Sequence, residues 1–389
     1  MDSTSFKVTV AGAGLIALAF VNTAQANGFA RGTADTDILY EDGNFTMRAG
    51  ATYVSPNRKY TAEGNPANIG TNAYQDYVIP SAAFKLGLTD NFSCAGTYTQ
   101  PYGGSVKYAA PRLSGKTEEG FTVDEFAATC AVKFHAGKGN LYLLGGVFQE
   151  NFDYSRNNVS PLGPLHLELN GVDQGYRVGV GYDIPEIALR AQLLYRSGSD
   201  YGASGTLTGP AGVLAPTLVG VNGITATTQI PAAALGIGHL PQTVEAKFQT
   251  GVAPGWLVFT DIKWSDWSVQ KSLDVRSAAT GGLISQDLYN WKDGWTFTAG
   301  VGHQFNETIA GAVSLTYDQG VTTGYDLSSD TWTLAGGVSA KDSFGGELRA
   351  GVGVSYLTSA AETQYAPGTN AAVEAGWAYA ANVSYRVKW

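Results

Sequence analysis

Apolar and polar residues alternate with a period of two along most of this chain. From about residue 44 to the end, the alternation recurs in segments of ten or more residues, as strands with two unlike faces require. The last segment is the clearest. Trp377, Tyr379, Ala381, Val383, Tyr385, Val387 and Trp389 share one face, while Gly376, Ala378, Ala380, Asn382, Ser384, Arg386 and Lys388 share the other. The segments 347–356, 176–182 and 187–196 repeat the scheme. The apolar faces of 176–182 and 377–389 begin and end in Trp or Tyr and those of the other two end in Tyr, as faces that meet membrane interfaces do. Their polar faces carry many glycines and widely spaced opposite charges, which suits a partly filled lumen.

Turn lengths sort the connections into two kinds. Short turns are predicted near 89–91, 136–139, 183–185, 253–255, 306–307 and 341–343. Longer links fall near 56–75, 103–118, 154–168, 198–240, 273–290, 319–329 and 358–372. Regular alternation of short and long links predicts an all-β fold, a transmembrane antiparallel up-and-down β-barrel of about 14 strands over residues 44–389. An even count returns both termini to one side, the periplasm of a bacterial outer membrane. Closure also removes the exposed edges of so long a sheet.

Composition agrees. Only 15% of residues are charged, against roughly 25% in soluble domains. Mean hydropathy is near zero, and past the N-terminus no run of about 18 apolar residues offers a membrane helix. The formal charge of −9 supplies no basic stripe for phosphates, so nucleic acid is not an expected partner.

Residues 1–26 read as a secretory signal, with Lys7, an apolar core from Val8 to Val21, and the small-residue site Ala24-Gln25-Ala26. Residues 27–43 do not alternate. They are read either as a solvated tail or as a short plug, with Asn27, Gly28, Phe29, Arg31, Asp35 and Asp37 as its candidate residues and charge pairs holding it to the lumen wall. Cys94 and Cys130 fall on the same face of neighbouring strands. They are either a disulfide, which an oxidising compartment permits, or two small apolar residues facing lipid.

No catalytic constellation emerges. His135, His166, His239 and His303 are scattered without metal-ligand spacing, and no nucleophile elbow is present. Neither an enzyme nor a cofactor is expected. Two irregularities point elsewhere. From Gly202 to Val244 there is no charged residue, while Leu214, Leu218, Val219, Ile224, Ile230 and Leu235 add apolar mass. Such a stretch reads as a docking surface for a hydrophobic ligand or as a loop folded over its own barrel mouth. In the third strand, Pro101, Tyr102, Gly103 and Gly104 predict either a kink that opens the wall or the end of the strand at Gln100.

The chain resembles the FadL family of outer-membrane transporters of long-chain fatty acids and other hydrophobic compounds. Asn27-Gly28-Phe29 is similar to the family's N-terminus, and Phe45 through Pro56 to its first strand. Leu240-Pro241 through Trp256, followed by Trp264-Ser265-Asp266-Trp267-Ser268, resembles its most recognisable stretch. Tyr176 to Arg196 matches a further strand pair, with Tyr195-Arg196-Ser197 ending it. The resemblance implies a 14-stranded barrel with an N-terminal hatch, an apolar loop groove for capture, and sideways release at the kinked third strand. One departure is plain: residues 27–43 are shorter than the family's hatch and lack its Asn-Pro-Ala.

The expected function is therefore passive outer-membrane transport of long-chain fatty acids or similar molecules. A carboxylate head would want a cation, and Arg156 and Lys271, at the loop ends of the fifth and ninth strands, are the candidates. Arg177, Arg190, Lys247, Lys263 and Arg349 are assigned to lumen ion pairs with Glu245, Asp261 and Glu347. Outer-membrane lipid and lipopolysaccharide, the barrel-assembly machinery and a hydrophobic ligand are the expected partners of a monomer. The rivals are a hydrophilic diffusion porin and a sealed adhesin or receptor barrel.

Overall fold

The structure, a computed structural model, describes residues 28–389. The secretory signal and Asn27 lie outside the described residues. Strands β1 (Phe45–Asn57), β2 (Tyr77–Thr89), β3 (Phe92–Lys107), β4 (Lys116–Ala136), β5 (Gly139–Ser160), β6 (Gly163–Ile184) and β7 (Leu189–Arg196) follow one another round a wall, each antiparallel to the last. The chain then leaves the wall as β8 (Ser199–Pro210) and β9 (Gln229–Leu240), and rejoins it as β10 (Thr243–Ala253), paired directly to β7. After β11 (Trp256–Ser265) a second excursion forms the hairpin of β12 (Ser272–Ser277) and β13 (Leu283–Leu288). The strands β14 (Gly294–Gln304), β15 (Ile309–Asp318), β16 (Thr331–Lys341), β17 (Glu347–Leu357) and β18 (Gly376–Lys388) complete the circuit. β18 pairs with β1 from Thr46↔Lys388 to Asn57↔Trp377, so the wall is a closed barrel of 14 strands.

Alternation sets the two faces. Outward side chains at the long-loop end include Tyr53, Tyr176, Trp295, Trp332, Tyr356 and Trp377, and those at the short-turn end include Phe134, Trp256, Tyr385 and Trp389. These are the two aromatic girdles, with Val, Leu and Ala between them. The terminal Trp389 closes the seam: its N–H donates to the Phe45 carbonyl at 2.9 Å, and the two rings lie 5.0 Å apart. Cys94 and Cys130 sit opposite one another on β3 and β4 and are joined as a disulfide on the outward face.

The uncharged stretch is not the long loop that its composition suggests. The pairing Thr243↔Arg196 continues in register as Leu240↔Ser199 and runs on to Gln229↔Pro210. β7–β8 and β9–β10 are thus the two arms of one tall hairpin, and only 211–228 form its tip. The sequence hides this because small residues, chiefly Ala, Gly and Thr, are dense in β8 and β9, so hydropathy does not alternate clearly there. β8 also pairs with the top of β6, and β9 with β12, so a curved sheet stands above one side of the barrel. Small strands at Tyr60–Ala62, Ala360–Ala361 and Ala372–Val373 form a separate sheet over the other side.

The N-terminal segment lies inside the barrel. A 3₁₀ turn at Thr36–Tyr40 buries Ile38, Leu39 and Tyr40 against Ala83, Ala95, Ala131, Tyr142 and Leu144. Asp35 pairs with Arg48 of β1 at 2.6 Å and Asp37 with Lys247 of β10 at 3.5 Å. Glu41 pairs with both Arg48 and Arg386. A second buried network joins Glu125 to Arg177 and Arg196, and Arg196 to Glu150. Of the expected lumen pairs, Lys247–Glu245 and Arg349–Glu347 form. Arg177 instead meets Glu125, and Arg190 lies 4.4 Å over the Tyr40 ring. Charges taken out of water are tolerated when each is paired and hydrogen-bonded; the Glu41 network lies at the short-turn end of the lumen, and the Glu125 network lies higher, level with Tyr176.

Candidate functional site

Above the charged layer the lumen turns aromatic. β11 ends at Ser265, and the chain makes a 3₁₀ turn at Trp267–Val269 that swings Trp267 inward to complete burial. Its neighbour Trp264 stays on the barrel wall, with its indole N–H donating to Asp293 at 3.1 Å. Trp291, in the link before β14, lies 5.0 Å from Trp267 at nearly a right angle. Phe29 of the N-terminal segment packs beside this pair, 4.6 Å from Trp291, 4.7 Å from Phe121 and 5.4 Å from Tyr289. Edge-to-face pairs of this kind contribute about 0.5–1.5 kcal/mol each beyond burial. Gly28 is required here: its φ is +60°, and a Cβ would come within 2.7 Å of the Trp267 ring.

Phe29, Phe121, Tyr289 and Trp291 floor a cavity of about 330 Å³ in the long-loop half of the barrel. Phe152, Tyr154 and Tyr201 line one side, and Tyr60, Tyr74, Tyr108, Tyr325 and Tyr365 come from the connecting loops above. Arg58 holds this roof together, donating to the carbonyls of Glu374, Leu327 and Thr358. Polar groups cluster at one edge, where Lys116 pairs with Glu119 at 2.5 Å and with Asp287 at 3.0 Å. An apolar chamber with a few polar groups at its rim suits an apolar or amphiphilic small molecule.

The third strand does not end at Gln100. It continues to Lys107, but its pairing with β4 slips between Thr99 and Tyr102, leaving Gln100 and Pro101 as a bulge. Its pairing with β2 stops at Ser81↔Thr99, so Tyr77 and Val78 have no ladder partner on that side. The freed edge of β3 is used by the N-terminal segment. The Arg31 N–H donates to the Pro101 carbonyl, that of Gly32 to Gln100, and that of Gly103 to Phe29, at 2.8, 2.8 and 3.0 Å. A recess of about 580 Å³ opens at this break, lined by Tyr77, Val78, Gly104, Ser105 and Phe121, and reaches the outward-facing Thr122 and Asp153. It shares Arg31, Tyr77, Gly104, Ser105, Phe121 and Tyr154 with the main cavity. A break in the wall thus adjoins the aromatic chamber.

The other candidates are dispersed. Arg156 is buried against Asp287 and Ser285 and does not line the cavity. The Lys271 side chain is exposed, and its carbonyl accepts from Tyr289 and Asn290. Leu214 packs against the hydrophobic core beside Gly209, Leu218 and Val219 are exposed at the hairpin tip, and Leu235 faces outward from β9. Ile224 and Ile230 are half-buried, and none of these six residues lines the cavity. Sequence reading missed Tyr154, Tyr201, Tyr289 and Trp291. The only signal was aromatic density in segments that do not alternate.

A model of the outer membrane protein transport family (OMPP1/FadL/TodX) matches residues 36–324. Among solved structures, a Pseudomonas aeruginosa FadL homologue superposes with a TM-score of 0.73 at 12% identity, over 95% of this chain and 99% of that one. The Pseudomonas putida toluene transporter TodX gives 0.63 at 14% identity, over 97% and 98%. The Ralstonia pickettii toluene transporter TbuX gives 0.62 at 14%, over 97% and 98%. At such identities the likeness is one of fold. No curated protein sequence matches the chain.

Proposed function

Because the chain belongs to the OMPP1/FadL/TodX family of outer-membrane transporters of hydrophobic compounds, we propose that it passes long-chain fatty acids or similar molecules from the cell exterior into the membrane through the break beside β3. The observation that carries this reading is the continuity of lining between the aromatic cavity and the wall recess. Each methylene of an acyl chain favours apolar surroundings by about 0.8 kcal/mol, so a path from chamber to bilayer spares the cargo a hydrated step. The charged layers of the lumen beneath the chamber oppose a straight route through the barrel for the same reason.

In this reading the long-loop end faces outward and both termini lie in the periplasm. The apolar hairpin tip, with Leu218 and Val219 exposed, gathers ligand above the cavity. The segment 28–43 is the plug, and residues 29–32 hold the bulge of β3 shut until it shifts. Transport is passive, drawn by consumption of the cargo inside the cell.

Two cysteines placed across the recess, Val78→Cys and Ser105→Cys in a Cys94→Ser/Cys130→Ser background, test the route. Bridging them with a short bifunctional thiol reagent is expected to stop uptake of a labelled fatty acid, and a cleavable reagent to allow its recovery. Undiminished uptake with the bridge in place overturns lateral release. Liposome swelling with sugars addresses the porin alternative: rapid sugar flux overturns the hydrophobic route altogether.

A further inference from the structure

Two voids meet at one side chain. Arg31 lines both the aromatic cavity and the wall recess. It is only 6% exposed. Its guanidinium lies 4.2 Å over the Tyr77 ring and close against Gly103, where a Cβ would stand 2.6 Å from Nη1. The backbone beneath it is fixed by the pairing of 29–32 with β3, so this cation is built into the junction.

The other cations of the main cavity are already engaged. Lys116 pairs with Glu119 and Asp287, Arg112 with Glu63 and Glu362, and Arg58 with main-chain oxygens. Among the described residues no carboxylate pairs with Arg31, and the one ionisable group bearing on it is the Tyr77 phenol. A guanidinium held out of water without a counter-ion is unfavourable unless something supplies the missing charge. Its planar fork matches a carboxylate in a bidentate, charge-assisted pair.

We propose that Arg31 is the specificity-determining residue of the transport path and selects amphiphiles with an anionic head over neutral hydrocarbons. The inference rests on the hydrophobic-transport reading. The head docks on Arg31 at the junction, while the apolar tail lies along Phe121 and the aromatic floor. Neutralising Arg31 also loosens its hold on Tyr77, which couples recognition of the head to opening of the wall.

Equilibrium binding of palmitate and hexadecanol to the purified full-length protein tests this, because the two probes differ only in the head. A charge-assisted pair in this setting should favour palmitate by about tenfold to a hundredfold. Arg31→Gln is expected to bring the two ligands near parity by weakening palmitate alone, and Arg31→Lys to restore part of the preference. Heat-modifiable migration checks that each variant retains its barrel. Hexadecanol bound by the wild type as tightly as palmitate overturns the inference alone. So does an unchanged ratio in Arg31→Gln, or an equal loss for both ligands, which would mark a purely structural strap. Failure of the wild type to bind either probe overturns the transport reading and this inference with it.

Discussion

Asp326 sits in the loop roof of the cavity, where it accepts a hydrogen bond from the Trp291 indole at 2.8 Å. Burial, with Glu362 nearby, pushes its carboxyl up to about 6. A carboxyl raised in the folded state favours folding in its protonated form. That stabilisation is complete below the ordinary carboxylate range near 4 and is lost as pH rises through about 6. We expect Trp291 fluorescence to titrate with a midpoint near pH 6, to stop doing so in Asp326→Asn, and to vanish from the difference signal in Trp291→Phe. A flat wild-type profile contradicts the assignment. At this scale the sequence revealed little. Asp326 is one acid among many in the loops, and Arg31 reads equally well as a tail charge. Trp264 and Trp267 share one motif, but only the 3₁₀ turn after Ser265 decides which indole enters the lumen.

Strands were far more legible, because a wall with lipid outside and a lumen inside imposes strict alternation on every crossing. Legibility failed where that constraint lapses. β8 and β9 rise beyond the wall, face no lipid, and are written in Ala, Gly and Thr. β3 shows the intermediate case: Pro101 and the following glycines signalled an irregularity, but its form needed the register with β4 and β2. Just below that slip, the Cys94–Cys130 disulfide locks β3 to β4. Both alternatives read from the sequence hold in part, since the bridged pair faces outward to lipid. The bond spans 36 residues of chain, and a loop of that length constrains the unfolded state by about 4 kcal/mol at most. Cys94→Ser/Cys130→Ser should therefore lower the urea midpoint of the refolded barrel without altering the wild-type strand content. An unchanged midpoint would show that the ladder alone fixes the register.

At the scale of the whole molecule, two halves of the lumen do different work. The part nearer the short turns is packed with paired charges around the N-terminal segment, and the part beneath the long loops is hollow and mainly aromatic, with ion pairs at its rim. Deleting 211–228 and joining the arms with a short turn is expected to leave the barrel intact, because the register from Pro210↔Gln229 downward does not depend on the tip. Loss of heat-modifiable migration in that variant would contradict the continuity of the hairpin. Uptake measured alongside reports separately on capture.

Glu41 carries a consequence for the order of events during biogenesis. Its carboxylate joins Arg48 of the first strand and Arg386 of the last, the two edges that meet at the seam. Nothing in the chain can satisfy both contacts until the final strand has been synthesised and brought round. Satisfying Glu41 in full and completing the cylinder are then a single step. The expected signature is kinetic: Glu41→Ala should accumulate heat-sensitive, protease-accessible material before reaching a mature form of ordinary strand content. Maturation at the wild-type rate would mean that the seam closes without consulting its contents. On the expected outcome the segment is a quality-control mark, read once, when the first and last strands meet.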